Sequence, residues 1–367
     1  MRVLHTEASA GMGGQELRIL KEAIGMRRRG HEIFFAVQKG GMLALKARAE
    51  GFSVFELSFA KPSLFKTVYG LLSLIRKYKI DIINTHSSLD AWMGGIAGKL
   101  CGIFIIRTRH LSTPVRKGIN SKLLYNFLAN RVVTTCLETK EMIQSQAALP
   151  PERLASIPTG VDLQSLSVDP ESIKKIRMSL GVGPEECLVG TLCVLRGWKG
   201  VFDLLHTAKL LENVPHLKWV VIGGGVGEEY FKSIWRELKL ENKVFFTGHL
   251  DSPFATLAAL DIFLLLSHAN EGVSQATLQA ATLKKPLITT RVGGLPEVCV
   301  DGITGIQVST HAPAEVADAV LRLMQAPQLR AKMGLSAHLL VEKKFTLHKM
   351  LDDMEVLYYQ SLDCKSQ

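Results

Sequence analysis

The sequence predicts an α/β fold of two doubly wound, Rossmann-like domains that face each other across a cleft. Three observations support this prediction. The chain has 367 residues, which exceeds what one ordinary hydrophobic core organises. Short apolar runs rich in β-forming residues alternate with longer helical segments, a pattern typical of parallel sheets covered by helices on both faces. This alternation occurs twice, once in each half of the chain.

Six apolar runs predict the strands of the first domain. In chain order they read RVLHTE, HEIFFAVQ, FSVFELSF, IDIINTHS, FIIRTRH and RVVTTCL. The segments between them, such as 15–29 and 64–79, carry the mixed polar and apolar pattern of helices.

Six further runs predict the strands of the second domain. They read ECLVGTLCVL, LKWVVIGGG, KVFFTGHL, DIFLLLS, KPLITTRVGG and GIQVS. A polar stretch after IPTGVD marks the change between the two sets. We therefore predict a first domain at 1–163, a second domain at 164–346, and a final helix near 347–367 as a candidate to pack back on the first domain.

The composition excludes several classes of protein. Hydrophobic residues make up 47% and charged residues 21%, as in a folded globular chain. No apolar run reaches the roughly 18–20 residues of a membrane span, and the N-terminus lacks the apolar centre of a signal peptide. The six cysteines stand singly without a CxxC, so neither a disulfide framework nor a zinc site is predicted. A cytoplasmic location is expected.

The basic charge is confined to the first half. Residues 1–165 carry 23 basic and 12 acidic side chains, whereas residues 166–367 carry 21 and 22. This excess predicts an anionic partner, such as a phosphorylated acceptor or the inner face of a membrane. Nucleic acid is not expected, because no aromatic residues are interleaved with the cations. Segment 64–79 is either a membrane-docking patch or a surface helix with a basic end.

Glycines and polar residues cluster after the predicted strands, where α/β sheets bind ligands. In the first half these residues are Gly13, Gly14, His86, Arg109 and His110. In the second half they are Arg196, Lys199, Gly223, His249 and Glu271.

The segment after DIFLLLS is the most specific of these. Glu271 stands at a strand–helix junction, and Gly272, Val273 and Ser274 follow it as the predicted start of a helix. Free amide N–H groups there suit a phosphate. The alternative is an ordinary helix cap, formed by Asn270 or Ser274.

This segment resembles the donor motif of family 4 retaining glycosyltransferases of the GT-B fold, a glutamate followed by glycine and, eight residues on, a second glutamate. GMGGQE, IPTGVD, RGWKG, VVIGGGVGEE, FTGHLDSPFATLAALDIFLLLS and GGLPEVCVDGITG stand around it in the family's order and span nearly the whole chain. The resemblance implies that a sugar passes from a nucleotide diphosphate to a hydroxyl of a glycan or lipid-linked glycan acceptor. Retention of configuration, independence of metals and cofactors, and a place in lipopolysaccharide or other cell-surface polysaccharide synthesis are also implied.

The resemblance implies that domain 1–163 binds the acceptor and domain 164–346 binds the nucleotide sugar, and it assigns a role to each candidate residue. Glu271 would hold the donor sugar, His110 would contact that sugar from the opposite domain, and Arg196 and Lys199 would neutralise the leaving diphosphate. Donor binding would also involve Gly272, Val273, Ser274, Gln279, Gly223 and His249. The acceptor or phosphate loop would comprise Gly13, Gly14, His86 and Arg109.

Two positions depart from the family pattern. The second glutamate of the motif is Gln279, which loses the charge-assisted hydrogen bond of a carboxylate to ribose. The position five residues before Lys199, usually arginine, is Val194, and we expect Arg196 to replace it.

Three other classes of protein are alternatives to such a transferase. A sugar-nucleotide epimerase on a similar fold and a catalytically silent nucleotide-sugar-binding homologue stay open. A dinucleotide oxidoreductase is disfavoured, because GGGVG lacks the glycine that its fingerprint requires at the sixth place, here Glu228. The serines near His86 lie in no nucleophile elbow, so helix capping by Ser88 or Asp90 is the favoured interpretation there.

Overall fold

The computed structural model describes residues 1–115 and 118–363, with side chains described as far as residue 360. The described residues do not include Arg116 and Lys117, which belong to the basic segment after His110 in the sequence. They also do not include the last four positions of the predicted final helix.

The first half of the chain alternates strands and helices as predicted. Its elements are β1 (Arg2–Glu7), α1 (Gly14–Arg28), β2 (Glu32–Gln38), α2 (Met42–Ala49), β3 (Ser53–Leu57), α3 (Leu64–Lys77), β4 (Ile82–Thr85), α4 (Ser88–Cys101), β5 (Phe104–Arg109), α5 (Ile119–Lys122), β6 (Arg131–Thr134), α6 (Leu137–Ala147) and β7 (Leu154–Ser156).

The second half continues the alternation and ends in helices. Its elements are α7 (Pro170–Ser179), β8 (Cys187–Leu192), α8 (Val201–Leu210), β9 (Leu217–Ile222), α9 (Glu228–Glu237), β10 (Val244–Gly248), α10 (Phe254–Ala259), β11 (Ile262–Leu265), α11 (Gln275–Thr282), β12 (Leu287–Thr290), β13 (Gly305–Val308), α12 (Pro313–Gln325), α13 (Pro327–Lys344) and α14 (Leu347–Asp363).

Each half builds one parallel sheet. The first sheet has seven strands in the order β3-β2-β1-β4-β5-β6-β7, and the second has six in the order β10-β9-β8-β11-β12-β13. All strand pairs are parallel. The predicted pair of doubly wound α/β domains is confirmed. The strand order reverses between β1 and β4 in one sheet and between β8 and β11 in the other, which is where such sheets bind ligands.

The chain forms two compact units. One contains Met1–Thr159 and the segment that begins at Leu347, and the other is Gly160–Thr346. The boundary therefore lies four residues before the expected position. The reason is local: the Val161 amide donates to the Phe345 carbonyl at 2.9 Å, and Val161 pairs with Thr346. This pairing ties the chain after Thr159 to the second unit.

Helix α14 belongs to the first unit. Its Met350, Met354 and Tyr358 are buried in the same apolar cluster as Ile19 and Phe35. Arg29 at the end of α1 donates to Glu355 at 2.8 Å. None of the helices in the described part of the chain is long and apolar enough to span a membrane.

Candidate active site

Glu271 and Lys199 form the centre of the candidate donor site in the second unit. Both follow strands at the switch point, Lys199 after β8 and Glu271 after β11. Glu271 is buried, and its Oε1 accepts from Lys199 Nζ in an ion pair and from Ser267 Oγ at 2.6 Å. A buried carboxylate needs such partners, because burial without them is costly. The sequence predicted the glutamate and the lysine, but not the serine that orients the carboxylate.

The loop that carries Lys199 is held against the end of β11 by a glycine. Gly200 has φ +72°, and a Cβ at this position would lie 2.1 Å from the Leu266 carbonyl oxygen. Only glycine allows this approach. The His268 amide also donates to the Trp198 carbonyl at 2.8 Å, which fixes the loop from the other side.

Arg196 lies in the same loop but makes a different contact. Its guanidinium lies over the ring of Trp198, 5.3 Å from the ring centroid, and the residue is exposed. Val194, where the family has arginine, is also exposed. Arg196 is thus available to an anionic ligand, and its replacement of the family arginine stays a prediction.

The segment after Glu271 forms a turn before the helix. The helix begins at Gln275, three positions later than the sequence suggested, so Gly272 and Val273 lie in the turn that precedes it. Ser274 is the N-cap, and its hydroxyl accepts from the Thr277 amide at 3.4 Å. Ser274 therefore acts as an ordinary helix cap, which was the alternative interpretation. This capping is compatible with a ligand role for the same turn. Gln279 lies in the second turn of α11 and is 9% exposed.

Two further predicted donor residues differ in their surroundings. Gly223 has φ +120°, and a Cβ there would lie 2.1 Å from the Cys193 carbonyl oxygen, so its glycine is required by packing. His249 is exposed, and its Nε2 lies 3.7 Å from Asp251 Oδ1. No described contact joins either residue to Glu271, and their ligand roles stay predictions.

Beside the glycine loop of the first unit lies the buried carboxyl of Glu7, which the sequence analysis did not identify as a site residue. Gly13 is the N-cap of α1, and its amide donates to Glu16 Oε2 at 2.8 Å; Gly14 begins the helix. Glu7, at the end of β1, accepts from the Ser9 amide at 2.7 Å and from Gln15 Nε2 at 2.5 Å. Burial and the nearby Asp90 raise the pKa of Glu7 to about 7. The position of Glu7 at the end of a strand is the feature of the sequence that could have identified it as a site residue.

Asp90 has a structural role, as the sequence favoured. Ser87, rather than Ser88, is the N-cap of α4, and Asp90 completes a capping box with it. The Asp90 carboxylate also accepts from Thr6 Oγ1 at 2.9 Å and from the His86 amide at 2.7 Å. Burial raises its pKa.

Three imidazoles form a hydrogen-bonded chain beneath the candidate acceptor site. His5 Nδ1 lies 2.9 Å from His86 Nε2, and His86 Nδ1 lies 3.0 Å from His110 Nε2. All three are buried. Burial lowers the pKa of His5 to about 3 and the pKa values of His86 and His110 well below their usual range.

Three neutral imidazoles in such a chain must all carry their N–H on the same ring nitrogen, either Nδ1 in all three or Nε2 in all three. Each ring has a single N–H, so the two hydrogen bonds must run in the same direction. At the inner end, His5 Nε2 is buried and has no hydrogen-bond partner within the described part of the chain. The direction of the two hydrogen bonds therefore sets whether His110 Nδ1 donates or accepts. His5 was missed because it lies inside a strand.

The guanidinium of Arg109 forms hydrogen bonds with the loop that follows β5 and with Tyr125. Its guanidinium donates to Tyr125 Oη at 2.5 Å, to Thr113 Oγ1 at 2.8 Å, and to the carbonyls of Thr113 and Leu111. Burial lowers the pKa of Arg109, and these bonds hold the segment after β5. Arg109 thus positions the loop beside His110, and the ligand contact that the sequence predicted for it stays a prediction.

The structure brings the predicted residues together in two groups. Lys199, Glu271 and the turn at Gly272–Ser274 lie at one switch point, and the glycine loop, His86 and His110 lie at the other. The assignment of His110 to the donor sugar stays a prediction.

Comparison with known proteins identifies the family of the chain. The family model "Glycosyltransferase Family 4" matches residues 12–165, and "Glycosyl transferases group 1" matches residues 172–338. The chain is 25% identical to N-acetyl-alpha-D-glucosaminyl L-malate synthase of Bacillus anthracis, over 91% of this chain and 90% of that one.

A second relative and a solved structure extend the comparison. The UDP-Gal:alpha-D-GlcNAc-diphosphoundecaprenol alpha-1,3-galactosyltransferase of Escherichia coli is 25% identical, over 80% of this chain and 79% of that one. The crystal structure of Anabaena Alr3699/HepE in complex with UDP-glucose has a TM-score of 0.87 at 20% identity, covering 98% of this chain and 100% of that chain. Together the two family models cover most of both units, and the chain belongs to the family 4 glycosyltransferases of the GT-B fold.

Proposed function

We propose that this glycosyltransferase moves a sugar from a nucleotide diphosphate donor to a hydroxyl of a glycan or lipid-linked glycan, with retention of configuration and without a metal. We place it in lipopolysaccharide or other cell-surface polysaccharide synthesis. The second unit binds the donor, and the first unit binds the acceptor.

The contact between Lys199 and Glu271 carries the proposal. The carboxylate suits the hydroxyls of a sugar, and the ammonium beside it suits the diphosphate to which that sugar is attached. Arg196 supplies a second cation in the same loop and is exposed, whereas Lys199 is half-buried. As the glycosidic bond breaks, the diphosphate gains negative charge, and two fixed cations can stabilise that charge as a divalent metal would.

Retention is proposed to proceed on one face of the sugar. Glu271 is already paired with Lys199 and Ser267, so it is better suited to holding hydroxyls than to attacking the sugar. The leaving phosphate then helps to remove the proton of the acceptor hydroxyl.

The acceptor assignment rests on charge. From the sequence, the first unit carries 25 basic and 15 acidic residues, whereas the second carries 19 of each. An anionic acceptor is attracted to the first unit by this field. The name of the E. coli relative includes diphosphoundecaprenol, a lipid-linked anion of the proposed class.

Helix α3 supports docking on the inner face of an anionic membrane. Phe65 is 86% exposed and Tyr69 is 75% exposed, one turn apart on the helix, and Lys66 lies beside them. Exposed aromatic and basic side chains on one helix are typical of membrane-surface binding. Flotation with anionic vesicles should recover the wild type and lose the Phe65→Ala/Tyr69→Ala double variant. Tyr230→Ala, an exposed tyrosine of the uncharged unit, is the control.

A panel of nucleotide sugars without acceptor tests the donor function. We expect slow hydrolysis of one donor by the wild type, and none by Glu271→Ala, which should retain binding of the nucleoside diphosphate. Glu237→Ala, on the exposed end of α9, is the matched control. Interconversion of one donor into another would instead identify an epimerase.

A chelator tests the metal-free mechanism. Turnover should persist in EDTA, and Lys199→Ala and Arg196→Ala should each weaken nucleoside diphosphate binding. Inhibition by EDTA that Mg²⁺ or Mn²⁺ reverses would overturn this mechanism.

A further inference from the structure

Three potential metal ligands meet in the second unit. Asp203 lies in the first turn of α8, His268 follows β11, and His311 follows β13. One ligand atom from each side chain lies within 4.8 Å of the other two. Within residues 1–115 and 118–363, this is the one group of three or more His, Cys, Asp or Glu side chains with such spacing.

The three side chains are close to the geometry that a tetrahedral ion requires. Asp203 Oδ2 lies 2.6 Å from His268 Nε2, and the ring centroids of His268 and His311 are 3.6 Å apart. Ligands bound about 2.0–2.1 Å from a tetrahedral zinc ion lie roughly 3.3 Å from one another. One ligand atom of each side chain already lies within 4.8 Å of the other two, so small side-chain rotations are what would bring all three to one ion.

The backbone holds the ligands in place without the ion. The His268 amide donates to the Trp198 carbonyl at 2.8 Å, and Asp203 is fixed in a helix. Thr207 of the same helix donates to the Pro313 carbonyl at 3.3 Å, two residues after His311. His311 itself has φ +56°, a left-handed conformation that non-glycine residues adopt only where the surroundings impose it.

The donor set selects the class of metal. One carboxylate oxygen and two imidazole nitrogens suit Zn²⁺ and Ni²⁺, whereas Mg²⁺ and Ca²⁺ prefer oxygen ligands. Three protein ligands leave the fourth position to water. Asp203 is buried and His311 is exposed, so an ion can enter from solvent on the His311 side.

We propose that Asp203, His268 and His311 bind one transition-metal ion of the Zn²⁺ type. The ion has no part in the transfer step. It joins the segment after β11 to the start of α8, and through Trp198 it braces the loop that carries Lys199. Zinc should therefore raise the unfolding temperature of the protein.

Calorimetry on untagged, chelator-treated protein without nucleotide tests the proposal. We expect one Zn²⁺ per chain and no binding of Mg²⁺. His311→Ala should weaken zinc binding tenfold or more, since even the loss of an outer-shell partner costs about 10–100-fold. Asp203→Asn is a second variant that keeps the shape of the side chain. The control is His348→Ala, which removes an exposed histidine paired with Asp352 at 2.9 Å.

Two further measurements complete the test. Co²⁺ should give a visible absorption spectrum in the wild type that His311→Ala abolishes and His348→Ala keeps. The absence of saturable zinc binding, or binding that survives in both His311→Ala and Asp203→Asn, would overturn the proposal. Neither measurement uses a sugar donor, so the result is independent of the proposed function.

Discussion

At the scale of single residues, Gln279 stands where the donor motif of the family has its second glutamate. A charged hydrogen bond contributes about 1.5–3 kcal/mol, against roughly 0.5–1.5 kcal/mol for a neutral one. If Gln279 faces the ribose, Gln279→Glu should raise nucleotide affinity about tenfold, at 1.4 kcal/mol per decade. Calorimetry with the same nucleotide measures the change. Equal affinities would place residue 279 away from the nucleotide.

Glu7 predicts a pH dependence of stability. Its pKa in the folded protein is about 7, above the ordinary value of 4.5. The folded state therefore holds the proton more tightly than the unfolded state. This contribution is fully present below about pH 4.5 and is lost as the pH rises to about 7.

Glu7→Gln removes this titration. Denaturant unfolding between pH 4.5 and 8 should show wild-type stability falling relative to the variant as the pH rises. Glu50→Gln, at an exposed position, should follow the wild type. Parallel curves for wild type and Glu7→Gln would show that Glu7 does not titrate in this range.

The histidine chain predicts a coupled tautomer. His5→Phe keeps a ring beside Phe35, with which His5 stacks at 5.7 Å, and removes the inner partner of His86. The ¹⁵N chemical shifts of His110 should then change, although residue 5 makes no described contact with it. Unchanged shifts in a folded variant would show that the tautomer of His110 is set locally.

At the scale of elements, the loop between β8 and α8 depends on one glycine. Gly200→Ala forces a side chain into the left-handed region, at about 1–2 kcal/mol, and against the Leu266 carbonyl. We expect lower stability and weaker nucleoside diphosphate binding, because Lys199 moves with the loop. Gly197→Ala is the control, since a Cβ there meets no atom within 4 Å. Equal effects of the two substitutions would contradict this account.

The elements also show how far the sequence predicts the structure. Strands with four or more alternating or apolar residues were recognised, whereas β7 was missed, because Leu154–Ser156 is too short to show a period. Glu271 and Lys199 were found through their motif. The partners Ser267 and His5 were not, because the sequence of a strand and of the residues directly after it carries no signal of which polar neighbours they meet. The hydrogen bonds of Arg109 to Tyr125 and Thr113 were not predicted either, because a cluster of cations in sequence does not reveal them.

At the scale of the whole molecule, the first unit depends on a helix that follows the second in the chain. Met354 of α14 is fully buried in the first unit, whereas Val356 is 56% exposed. Met354→Ala should cost about 2–5 kcal/mol, and Val356→Ala should stay within about 0.5 kcal/mol. Hydrogen exchange should show the loss of protection in the first unit alone. Loss spread evenly over both units would mean that they unfold together.

This chain order has a consequence for synthesis on the ribosome. About 200 residues separate Thr159 from the end of α14. At a synthesis rate of roughly 5–20 residues per second, about 10–40 s pass between the synthesis of Thr159 and that of the helix that completes the core of the first unit. The second unit is continuous and can fold during that interval. The nascent first unit meanwhile exposes the apolar surface that Met350, Met354 and Tyr358 later cover, which makes it the part of the chain that most needs a chaperone.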